Sequence, residues 1–110
     1  MPKIYKYVKL ASDLTAAVAA ARAAAPGPDD GACNFDSLML SLPRWDAAKI
    51  EEAAKTAGIR AFDSTFCRRK VWVFTVPCGG QAEKYTRQAE AMCKTMKAAG
   101  YDAHVWYRLD

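Results

Sequence analysis

Cys78-Gly79-Gly80 has the strongest claim to covalent chemistry in this chain. A thiol at the opening of a helix sits among unpaired N–H groups, which attract anions and lower its pKa. A nucleophile there also needs a base, and His104 is the only histidine in the 110 residues. Nothing in the spacing brings the two together. The glycines fit neither a phosphate loop nor a dinucleotide fingerprint. The carboxylates are no better arranged. Glu51 and Glu52 are neighbours on an expected helix and diverge by about 100°, while Asp29 and Asp30 share a loop with no further ligand close by in sequence. The reading is no catalytic residue, no metal site and no cofactor.

Cys33, Cys67, Cys78 and Cys93 are too far apart for a zinc knuckle or a thioredoxin-like pair. They read as reduced thiols, most of them small core residues. Cys67 and Cys78 could face each other across a hairpin.

Cations interleaved with rings form a different kind of set. Tyr5 and Tyr7 lie between Lys3 and Lys9, and Trp72 and Phe74 follow Arg68-Arg69-Lys70. Trp106 lies between His104 and Arg108. Rings on one surface could stack bases, at about 1–3 kcal/mol each, while cations hold phosphates. Packed inward, the same rings would be ordinary core.

Charge supports a polarised surface. Residues 1–28 carry four basic and one acidic group, residues 29–58 three and six, and residues 59–110 nine and five; the net charge is +4. No apolar run approaches the ~20 residues of a membrane helix. Lys3 and Lys6 interrupt the place where a signal peptide would be apolar. A cytoplasmic location with no membrane partner is expected.

The elements that would position these groups can be read from periodicity. Lys70-Val-Trp-Val-Phe-Thr-Val76 is apolar on both faces and closed by Pro77, which predicts a central strand. Lys3–Leu10 alternates, with Ile4, Val8 and Leu10 on one face, and predicts a half-buried strand. Ser12 or Asp13 then caps a helix striped by Leu14, Val18, Ala21 and Ala25. Residues 34–42 predict a strand, and Asp46 caps a helix to about Ala57 with Gly58 as its stop. Ile59–Cys67 predicts a strand joined to the central one by a short hairpin. Gly79-Gly80 opens a helix to Ala99 striped by Tyr85, Ala89, Met92 and Met96. Residues 103–109 predict a last strand.

The predicted order is βαβαββαβ in a single α+β domain, a two-layer α/β sandwich. From about residue 34 to 110 the order βαββαβ matches the ferredoxin-like arrangement, with residues 1–28 as an added strand–helix unit. The RNA-binding version of that arrangement carries aromatic motifs on its first and third strands. Leu38-Met-Leu-Ser-Leu42 has no aromatic, and Lys70-Val-Trp-Val-Phe lacks the signature glycines. The chain therefore does not resemble that family.

These features favour a small non-enzymatic binding protein. Its partner would be nucleic acid or an acidic surface on a nucleic-acid-handling complex. The expected contact residues are Lys3, Tyr5, Tyr7, Lys9, Arg68, Arg69, Lys70, Trp106 and Arg108. One alternative is a protein-binding inhibitor or adaptor of the phage or mobile-element kind, blocking a bacterial machine. Another is a homodimer pairing open sheet faces, as a ligand-binding domain or a cofactor-free enzyme.

Overall fold

Residues 5–26, 36–78 and 82–106 are described by the computed structural model. They form a small α+β domain of three helices and one four-stranded antiparallel sheet.

The first helix, α1, spans Tyr5–Ala24 and replaces the strand and helix expected there. Two physical features favour a helix over a strand here. No glycine or proline interrupts the segment, so an alanine-rich helix continues backward more cheaply than the chain can turn into a new strand. Leu10, Leu14, Ala17, Val18 and Ala21 also make one continuous helical stripe, and all are buried. Val8 and Leu10, assigned to one face of a strand, are instead 62% and 0% exposed. Lys3 and Ile4 lie outside the described residues.

Strand β1, Ser37–Leu40, turns Leu38 and Leu40 to the interior. Helix α2, Ala47–Ala57, begins at Asp46, whose carboxylate accepts a hydrogen bond from the Ala48 N–H. It ends at Gly58, where φ is 88°, a left-handed value that favours glycine. Gly58 and Ile59 donate to the carbonyls of Lys55 and Ala54 at 3.0 Å each, and buried Ile59 closes the end.

Strands β2, Ala61–Phe66, and β3, Arg69–Phe74, form the expected hairpin. Its two turn residues are Cys67 and Arg68, at φ 51° and 66°. Positive φ at both positions suits the right-handed twist of a two-residue hairpin, although neither residue is the usual Asn or Gly. Helix α3, Ala82–Ala98, buries Gln88, Ala89, Met92, Cys93 and Met96. Strand β4, Ala103–Trp106, comes after Gly100.

The sheet order is β2-β3-β1-β4, with every neighbouring pair antiparallel. β3 is central as expected, and Val71, Trp72, Val73 and Phe74 are all buried. The helices share one core with one sheet face, through Leu38, Leu40, Trp72, Phe74 and Ala103. α1 packs on both α2 and α3. Trp72 and Phe74 are 3% and 0% exposed, so an outward Trp72-Phe74 display is not what forms. By register, Phe62, Phe66, Met39, Val71, Val73, His104 and Trp106 take the opposite sheet face.

Candidate functional site

Four chain segments meet at one end of the domain. They are the start of α1, the β1–α2 loop, the β2–β3 turn and the α3–β4 loop. β1 runs toward this end and β3 away from it, with Leu40 opposite Trp72. The α3–β4 loop is held alongside by the Ser41 N–H, which donates to the Asp102 carbonyl at 3.1 Å.

Three rings form the frame. Tyr7 meets Trp45 edge to face at 5.4 Å between centroids, and Trp45 meets Tyr101 at 6.5 Å. The Asp46 N–H donates to the Tyr7 hydroxyl at 2.7 Å, which ties the start of α1 to the start of α2. Lysines lie over the rings. Lys6 Nζ is 4.6 Å from the Trp45 centroid, Lys49 Nζ is 5.2 Å from that of Tyr7, and Lys9 Nζ is 4.9 Å from that of Tyr101. Rings engaged this way hold the lysine side chains in place.

Asp13 fixes the inner edge of the frame. Its Oδ2 accepts from Lys9 Nζ at 2.7 Å and from the Tyr101 hydroxyl at 2.8 Å. Burial first, then this bond to a carboxylate, pushes the Tyr101 phenol well above its ordinary value. Tyr101 therefore stays neutral and acts as a fixed donor. Lys9 also donates to the Ala99 carbonyl at 3.2 Å, at the end of α3.

Beside the rings lies a cleft of about 450 Å³ between the β1–α2 loop and the hairpin. Arg44, Arg69 and Lys70 line it, with Ser41, Trp45 and Trp72 among its other walls. Arg44 sits at φ 67°, a left-handed backbone that costs a non-glycine residue about 1 kcal/mol or more. Lys70 shares its charge with Asp63 at 3.6 Å, an exposed pair. Among the described residues, Arg44, Arg68 and Arg69 have no carboxylate within salt-bridge distance.

The expected contact residues divide into three groups. Tyr7, Lys9, Arg68, Arg69 and Lys70 are brought to this end, and exposed Tyr5 stands beside them at the start of α1. Trp106 is not, because it pairs with Ser37 at the other end of β1 and takes the sheet face turned from the helices. Lys3 and Arg108 lie outside the described residues. Sequence reading missed Lys6, Arg44, Trp45, Lys49 and Tyr101. The available signals were local: Trp45 directly precedes a helix cap, and Tyr101 directly succeeds the Gly100 stop.

Cys67, Cys78 and Cys93 are free, so no Cys67–Cys78 bond spans the hairpin. The Cys78 N–H and carbonyl are both held by the buried Gln88 side chain, at 2.9 and 3.0 Å. Gly79 and Gly80 lie outside the described residues. His104 meets Asp102 at 2.9 Å, with both side chains exposed. Burial pushes the Cys93 thiol up. Among the described residues no three His, Cys, Asp or Glu side chains are grouped to hold a metal ion, and no helix is long and apolar enough to cross a membrane.

Comparison of the chain with protein-family models, with curated proteins and with solved structures finds no match in any of the three.

Proposed function

We propose that this is a small non-enzymatic binding domain whose cationic end engages an acidic macromolecule, with nucleic acid as the favoured partner. The observation that carries this reading is the convergence of Arg44, Arg68 and Arg69 at one end, none of them with a carboxylate in salt-bridge distance among the described residues. Like charges gathered this way repel one another, and an external anion relieves that cost. Lys6 and Lys49 extend the same field while braced on rings, whereas the charge of Lys9 is balanced by Asp13. On this reading the rings position cations rather than stack bases, because lysines already occupy them. The element order βαββαβ after α1 and the strand order β2-β3-β1-β4 support reading the scaffold as ferredoxin-like.

Fluorescence polarisation against mixed single- and double-stranded probes at low salt tests the function. Binding in the micromolar range is expected, weakening steeply with added salt. No binding at tens of micromolar protein ends this reading.

A further inference from the structure

We infer that the cleft between the β1–α2 loop and the β2–β3 hairpin is a seat for the sugar–phosphate backbone of a nucleic-acid strand, read without regard to base identity. This rests on the proposed function and specifies how it would be carried out. Arg44 and Arg69 approach the cleft from two separate segments, and Lys70 adds a third cation. Guanidinium groups match phosphate oxygens with paired N–H donors, which a point charge does not. Neither arginine is engaged by a carboxylate among the described residues. The left-handed backbone at Arg44 is strain held at the rim of the cleft, where it sets the direction in which that side chain leaves the loop.

The surroundings favour phosphate over a protein partner. A protein contact gains most from an aromatic anchor entering or offered by the interface. Within the cleft Trp72 is 3% exposed and belongs to the core, while the Trp45 ring has Lys6 Nζ 4.6 Å from its centroid; the exposed rings at this end, Tyr5 and Phe66, are not among the residues that line the cleft. Leu42 and Pro43 give the cleft apolar walls, and its cations supply the charge and N–H donors that contact backbone rather than bases.

The test is a sodium chloride titration of binding to labelled oligonucleotides of oligo-dT and of mixed sequence. Three cations on phosphates give a slope of log K against log salt of about −2 to −3. Arg44→Gly/Arg69→Ala removes two of them, and glycine suits the backbone at position 44. That variant should flatten the slope by about 1.4 to 1.8, equally for every sequence. Lys55→Ala/Arg60→Ala removes the same charge at the opposite end of α2 and should leave the slope nearly unchanged. Arg44→Lys/Arg69→Lys should keep the slope and lose affinity several-fold. Circular dichroism confirms that each variant is folded.

Wild-type binding with equal losses in the two charge-removing variants overturns the seat and leaves the broader function standing. Strong preference among base sequences overturns it too. Displacement by poly-glutamate as effective as by an oligonucleotide of equal charge transfers the site to acidic proteins. Absence of wild-type binding removes both the seat and the function it rests on.

Discussion

Two segments of this chain combine cations with rings and fold in opposite ways. Lys6, Tyr7 and Lys9 lie on a helix, while Lys70, Trp72 and Phe74 lie on the central strand. The difference comes from the residues flanking each segment. The first runs without a break into an alanine-rich stretch, and Leu10 and Leu14 draw it into the helical stripe. The second is bounded by a two-residue turn and by Pro77, with Val71 and Val73 filling the alternate positions. Side-chain alternation over six or seven residues is thus a weak signal where no turn residue marks its end. The rings differ accordingly. Tyr7 stays half-buried under lysines, and Trp72 becomes core.

The largest test of that contrast is Trp72→Ala. Emptying a buried tryptophan site should cost about 3–5 kcal/mol in urea unfolding. The same truncation at half-buried Trp45 should cost less. Equal costs at the two positions would erase the distinction between core ring and frame ring.

Ser12→Pro addresses the helix directly. Ser12 is exposed and lies inside α1, so a proline there removes a backbone hydrogen bond and should cost about 3 kcal/mol. In a strand–turn–helix the same position would be a tolerant turn or cap. A loss below about 0.5 kcal/mol in thermal or urea unfolding would restore the strand.

Tyr101→Phe is the smallest of the three. It removes the donor to Asp13 and should cost about 1 kcal/mol. The phenol's pKa is raised on folding, so its contribution is fully present below the unfolded value of about 10 and is lost as pH rises beyond it. Wild-type stability should therefore fall above about pH 10 more steeply than that of the phenylalanine variant. Matching alkaline limbs would show that Tyr101 is not held as a donor.

Local signals made much of the fold legible. Asp46 and Gly58 bracket α2, Gly100 stops α3, and the two-sided apolar run at 70–76 marks the central strand. Each works through the residue's own backbone preference or burial. The cationic end was legible only where its residues adjoin in sequence, at Arg68-Arg69-Lys70. Arg44, Trp45 and Tyr101 join it from loops separated by more than fifty residues, and only packing brings such groups together. Trp106 was misplaced for the same reason, since strand pairing with Ser37 decides its end of the sheet.

The left-handed turn at Cys67 and Arg68 carries a practical consequence for anyone redesigning this domain. Replacing the pair with Asn-Gly suits the backbone and should raise the unfolding midpoint, by about 1 kcal/mol in stability. It would also delete the outermost positive charge of the hairpin. A tip optimised for endurance should therefore grip anions less well, and selecting variants by heat resistance alone would drift away from binding.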